Sequence, residues 1–185
     1  DRIVLFGSTG EGAAISVGDK IAALEALIGW GISPDLIILG VMENDAKAAE
    51  RSLKAAADLN LSAALLLPPY YYPASDDGII DFLEQACGEK EPALDVILYH
   101  IPQLARAGFS HSLLKRIVDR FGDRILGIKD SAGIYAHTLE LVYAFPDLAV
   151  FTGTDTDFPP LLDAGGAGMI GGLPNINARG LRQIM

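Results

Sequence analysis

The chain has 185 residues, 50% hydrophobic and 21% charged, enough apolar material for one well-buried core and too much for a disordered chain. Against 24 Asp and Glu stand 14 Lys and Arg, a formal net charge of −10. Such a surface repels phosphate backbones and no basic stripe offsets it, so nucleic-acid binding is not expected.

A strand-then-helix unit repeats along the chain. Continuous apolar runs mark seven strands, at Ile3–Phe6, Leu36–Leu39, Ala63–Leu67, Val96–Tyr99, Ile125–Lys129, Ala149–Phe151 and Met169–Ile170. Runs without polar alternation are strands buried on both faces, as in a parallel sheet covered by helices. Between them, helical spacing aligns Ile21, Leu24, Leu27 and Ile28, then the Ala-rich stretch from Asp45 to Leu59, then Ile79, Ile80 and Leu83. It returns at Leu113, Leu114, Ile117 and Val118, and at Leu139, Leu141, Val142 and Phe145. The early units recur at about 30 residues, the length of a βαβ step. The pattern admits an open doubly wound sheet or a closed (β/α)8 barrel. The barrel is the α/β class expected here, as a single domain over 1–185. A barrel runs to about 250 residues, so its first strand and its closing C-terminal helices are expected outside this chain. Asp1-Arg2 would open directly into a strand, and Met185 would fall within a helix.

The single cysteine, Cys87, excludes a disulfide framework and suits a reducing cytoplasm. Its apolar neighbours make it a small core residue rather than a nucleophile. No apolar run approaches about 18 residues, so no membrane span is expected, and no signal peptide precedes the first strand.

In a (β/α)8 barrel the reactive groups stand at the C-terminal ends of the strands. Ile125-Leu126-Gly127-Ile128-Lys129-Asp130 ends a buried strand on a lysine, a costly placement for an ammonium. Alternation sends Lys129, Gly127 and Ile125 inward, with Leu126 and Ile128 toward the helices and open space beneath the lysine at Gly127. At its reference value about 1 lysine in 2,500 is neutral at pH 7, and burial can convert such an amine into a nucleophile toward a carbonyl carbon. The competing reading is a strand-end lysine that reaches solvent or pairs with Asp130 or Asp155. Tyr99 closes the preceding strand at similar height, where a phenol can shuttle a proton or simply cap the core. His100 should point away from the interior.

Gly7-Ser8-Thr9-Gly10-Glu11-Gly12 follows the first strand with small residues and hydroxyls suited to a carboxylate, or to an ordinary turn. Without the Lys-Ser/Thr ending of a P-loop it does not suit a triphosphate. In Gly153-Thr154-Asp155-Thr156-Asp157 the carboxylates fit hydrogen bonds to substrate hydroxyls, or N-capping by Asp155 or Thr156, better than a metal. The three histidines, His100, His111 and His137, have no metal-ligand spacing. Gly166-Ala167-Gly168-Met169-Ile170-Gly171 matches a dinucleotide fingerprint, but its glycines surround a strand that follows a helix, which is the wrong context. Neither metal nor cofactor is expected.

Five of these segments occur together in one known family: Gly7-Ser8-Thr9-Gly10-Glu11, Pro69-Tyr70-Tyr71, Leu98-Tyr99-His100-Ile101-Pro102, Gly127-Ile128-Lys129-Asp130 and Gly168-Met169-Ile170. In order and spacing the chain resembles the dihydrodipicolinate synthase / N-acetylneuraminate lyase family of pyruvate-dependent class I aldolases. The resemblance implies that Lys129 forms a Schiff base with pyruvate or another 2-oxo acid and that Tyr99 moves protons, with Ser8 as the relay beside it. Thr9 and Gly10 would hold the carboxylate, and Tyr71 would complete the relay in a neighbouring subunit, making a homotetramer built as a dimer of dimers. The carbonyl of Ile170 would lie near the reacting centre, Ser131 and Asp155 would meet the hydroxyls of a longer substrate, and Gly153 would be a further substrate-binding position.

The departures are specific. The lysine-pathway synthase has an arginine five residues after the tyrosine, where this chain has Leu104, with Arg106 two positions on. His100 and Tyr72 each replace an asparagine. The loop spelling and Lys129-Asp130-Ser131 are closer to lyases of 2-oxo-3-deoxy sugar acids or hydroxy-oxo acids, which is the activity the resemblance favours. The lysine-pathway synthase, with Arg106 substituting, is the alternative within the class. A non-catalytic barrel that binds a ligand is the alternative outside it.

Overall fold

The computed structural model describes residues 2–88 and 94–184. Asp1 and Met185, where the sequence predicts a strand under way and a helix cut short, lie outside them. Seven strands alternate with helices: β1 (Ile3–Leu5), α1 (Val17–Gly29), β2 (Ile37–Val41), α2 (Ala46–Asp58), β3 (Ala63–Leu66), α3 (Asp76–Cys87), β4 (Val96–His100), α4 (Pro102–Ala105), α5 (His111–Phe121), β5 (Ile125–Asp130), α6 (Tyr135–Ala144), β6 (Ala149–Thr152), α7 (Phe158–Asp163), β7 (Gly168–Met169) and α8 (Pro174–Arg182). The strands pair in chain order, every pair parallel.

Local chemistry sets the helix starts. Ser16, Asp45, Ser75 and Ser110 each accept the backbone N–H three residues on, capping α1, α2, α3 and α5. The apolar runs then do what full burial requires. One face of the sheet, with Leu39, Val41, Leu66, Val96, Leu98 and Ile128, packs against Leu24, Leu53, Phe82, Leu113 and Leu141 of the helices. The other face gathers Ile38, Met42, Leu65, Leu67, Ile97 and Tyr99, with Val4 of β1 and Phe151 of β6 packed against them. A cluster reaching from β1 to β6 across the middle strands closes the concave side of a curled sheet, a partial (β/α)8 barrel.

Two expectations are corrected at β5. Val96 pairs with Ile125 but Ile97 with Gly127, a bulge that displaces Leu126 and leaves it 38% exposed. The extra residue breaks the alternation, so Ile125 packs with the helix-facing cluster while Gly127 and Lys129 keep the inner register. Nor does Gly127 leave open space: a Cβ there would run into the Ala149 carbonyl oxygen. The glycine is what lets β6 approach.

The short helices α4 and α7 and the kinked α8 are not legible as apolar periodicity. All three begin at or beside proline. Cys87 is fully buried and burial pushes its thiol up to about 11, against a smaller opposing pull from Arg124, as befits an inert core residue. Among the described residues no helix is long and apolar enough to cross a membrane.

Candidate active site

The inward side chains at the ends of β4 and β5 meet. Tyr99 and Lys129 are register partners, 2% and 8% exposed, and the Lys129 Nζ stands 4.1 Å from the centre of the Tyr99 ring. An ammonium over a ring face gains about 0.5–2 kcal/mol, which steers the long lysine chain to one place. The Tyr99 hydroxyl lies 2.7 Å from the Ser8 Oγ, 91 residues away in sequence, with each oxygen able to donate to the other. Strand curl makes this contact: β1 and β4 are separated by two strands in the sheet and meet only across its concave face.

The loop that presents Ser8 is tightly held. Phe6 takes the left-handed conformation at φ 61°, unusual for a bulky side chain. A Cβ at either Gly12 or Gly40 would collide with its carbonyl, so both glycines are needed where the backbones touch. The Gly12 N–H donates to the Gly7 carbonyl and the Glu11 N–H to the Ser8 carbonyl, closing a turn with Thr9 and Gly10 exposed at its tip.

The ends of β4, β5 and β6 are laced together by backbone bonds. The Ser131 N–H donates to His100 (2.8 Å) and the Gly153 N–H to Asp130 (2.7 Å). A Cβ on Gly153 would strike the Ser131 hydroxyl, so these two predicted substrate residues adjoin. Ile170 packs on the inner cluster, its N–H donating to the Thr152 carbonyl. Asp155 lies beside Gly171. Neither Asp155 nor Thr156 caps a helix: the N-cap positions fall on Thr154 and Asp157, whose side chains make no capping bond. Tyr71 stands apart from the cluster, 67% exposed at φ 77° and edge-on to Tyr72.

A cavity of about 480 Å³ opens beside Ser8, lined by Glu11, Met42, Leu67, Tyr70 and Leu104 among others. Leu104 lines it and Arg106 does not, and Glu11 is its one charged lining residue.

The histidines overturn a spacing argument. The folded chain stacks His100 on His137 (ring centres 4.8 Å apart, 25° between planes) and His137 on His111 (5.9 Å, 21°). Donor atoms of His100, Asp130 and His137 all lie within 4.8 Å of one another. Several of the polar atoms in this group already have protein partners. The Phe109 N–H donates to the His100 Nδ1, and Asp130 bonds His137, Thr138 and the Ala132 N–H. Burial lowers the pKa of His100, nearby Asp130 opposing and His137 adding to the fall. Sequence spacing could not reveal this cluster, because its members come from four different elements.

The fold that brings this lysine, tyrosine and loop hydroxyl together is shared with known proteins. The model of the dihydrodipicolinate synthetase family matches residues 1–185. The chain belongs to that family. An uncharacterized DapA-like lyase from Chloroflexus aurantiacus is 31% identical over 170 residues, which are 91% of this chain and 56% of the relative. The crystal structure of dihydrodipicolinate synthase from Agrobacterium tumefaciens superimposes with a TM-score of 0.94 at 31% identity, covering 100% of this chain and 65% of that one. The pyruvate complex of the Acinetobacter baumannii dihydrodipicolinate synthase follows at 0.87 and 28%, covering 99% and 62%. The chain thus spans less than two thirds of the length of these family members.

Proposed function

We propose that the protein is a Schiff-base lyase or aldolase that joins or releases pyruvate and an aldehyde. The observation that carries this is the contact set Ser8–Tyr99–Lys129 on the concave face of the sheet. The Lys129 amine attacks the ketone carbon of pyruvate in the joining direction, or of the longer 2-oxo acid in the releasing direction. Tyr99 donates its proton to the departing hydroxyl, so the carbinolamine leaves as water plus a protonated imine. That cation accepts the electron pair released when the substrate carbon–carbon bond breaks, or when a methyl proton is removed, giving an enamine. The Tyr99 phenolate takes up the proton lost in that step, and its hydrogen bond to Ser8 relays protons between it and solvent in concert, so that neither oxygen is left charged at the end. The turn at Thr9 and Gly10 receives the carboxylate, the Ile170 carbonyl faces the reacting carbon, and Ser131, Gly153 and Asp155 contact the aldehyde portion. Pyruvate as the oxo acid is supported by the Acinetobacter baumannii relative, whose structure holds it.

Tyr71, left outside the cluster of its own chain, completes the relay of a second copy in a homotetramer. The β1 and β7 edges pair with an eighth strand that closes the barrel. Buried, unpaired Cys87 suits a cytoplasmic location.

A 2-oxo-3-deoxy sugar acid or hydroxy-oxo acid is the favoured substrate, because Leu104 and Glu11 provide no cation for a second carboxylate in the cavity. The synthases among its relatives keep condensation with aspartate semialdehyde as the second reading, with Arg106 reaching the carboxylate. Incubation with pyruvate and borohydride, followed by intact mass and peptide mapping, tests the class. A reduced adduct on Lys129 is expected, and none from folded protein would refute the proposal and leave a ligand-binding barrel. An aldehyde screen on the same protein then separates the two substrates.

A further inference from the structure

Behind the strand ends that carry Tyr99 and Lys129 lies a buried polar network with no part in the steps above. Each of the two residues is followed by one pointing the other way, His100 on β4 and Asp130 on β5, and these are also register partners. Asp130 is 1% exposed, and a carboxylate so placed needs donors. It has three: the Ala132 N–H at 2.9 Å, the Thr138 hydroxyl at 2.8 Å and the His137 Nδ1 at 2.8 Å. The first belongs to the loop that carries Ser131, and the others to α6. His100 is fixed from behind, its Nδ1 accepting the Phe109 N–H at 3.0 Å, and its ring lies against His137. His111 of α5 stacks on the far face of His137, and Glu140 stands 3.8 Å from the His111 Nε2.

One imidazole therefore touches the residue after Tyr99 and the residue after Lys129. We propose that His137 is a positioning residue, which keeps the amine of Lys129 and the phenol of Tyr99 aligned by holding Asp130 and His100. The inference rests on reading Lys129 as the imine-forming lysine. Its physical basis is that a misplacement of about 1 Å costs a chemical step about 100-fold. Without His137 the buried carboxylate loses one of its three donors, and His100 loses the ring it packs on. The β4 and β5 ends and the Ser131 loop can then shift, while the turn at Thr9 and Gly10 that receives the oxo acid stays intact.

The test follows accumulation of the borohydride-reducible pyruvate adduct over time, by intact mass, in the wild type, His137→Ala and His137→Asn. Asparagine can donate from its amide where the imidazole donated from Nδ1. At saturating pyruvate we expect His137→Ala to label about 10- to 100-fold more slowly, to the same final extent and with half-saturation unchanged. His137→Asn recovers most of the rate. Wild-type kinetics in His137→Ala would overturn the proposal, as would an asparagine variant as slow as the alanine one. A reduced final extent at unchanged rate would also overturn it, since that marks lost folding alone. Absence of adduct in the wild type is a separate result: it refutes the imine reading and, with it, any positioning role.

Discussion

Removing one oxygen from Tyr99 separates chemistry from scaffold. Tyr99→Phe keeps the ring under the Lys129 Nζ, 4.1 Å away, and keeps the inner core filled. It deletes only the hydroxyl 2.7 Å from the Ser8 Oγ. The net worth of such a hydrogen bond is about 0.5–1.5 kcal/mol, so the melting temperature should fall by about 1–6 °C for a chain of this size. Truncation to alanine would instead empty a site that is 2% exposed and cost about 3–5 kcal/mol. If the phenol moves the proton during imine formation, the phenylalanine variant loses about 10²- to 10⁴-fold in rate, equivalent to about 3–5 kcal/mol of barrier. The assay pairs thermal melts with the rate of borohydride-trapped pyruvate adduct. Ser8→Ala should lose rate in the same way, and the double variant should be barely slower than the worse single one, because both act through one bond. A phenylalanine variant trapped at more than a tenth of the wild-type rate, or a double variant whose losses simply multiply, would refute the relay.

Lys20 is 1% exposed and bonds Glu43, whose second oxygen is buried without a partner. Lys20→Met should therefore destabilise by about 3–5 kcal/mol, largely recovered when Glu43→Leu is added, as denaturant melts would read. For His100, burial holds the folded pKa below the usual 6.5, so the unfolded chain binds the extra proton first. Its contribution to stability is complete above pH 6.5 and is lost as pH falls through the depressed folded value. Melting temperature should drop over that acid range in the wild type. It should drop less in His100→Asn, whose amide oxygen still accepts the Phe109 N–H. Leu104→Arg places a cation in a cavity whose one charged lining residue is Glu11. The ratio of turnover with carboxylated over neutral aldehydes should rise about 10-fold or more, and an unchanged ratio would remove Leu104 from the specificity argument.

Much of the architecture was written locally. Seven apolar runs became seven strands within a residue or two, since a strand covered on both faces needs no polar alternation. The Ala-rich helix read from Asp45 starts there, with that side chain as its cap. The glycine match at 166–171 surrounds β7 just as its context demanded. Locally driven reasoning failed where one extra residue mattered. The bulge at Leu126 turned Ile125 to the helices, and the close approach of β6 explains Gly127 better than the spacing did.

The tertiary structure alone decided which strand ends meet. Sequence placed Ser8, Tyr99 and Lys129 each at the end of its own strand, and their resemblance to a family gave them roles. The 2.7 Å contact between Ser8 and Tyr99 exists only because the sheet curls, a property of seven strands together. The same holds for His100, Asp130 and His137. Each was read singly, by spacing and alternation, and only packing α6 against β4 and β5 made them one network. Periodicity is a property of neighbours along the chain, so it survives reading one residue at a time. A site is a property of neighbours in space, and curl, register and bulges set those distances.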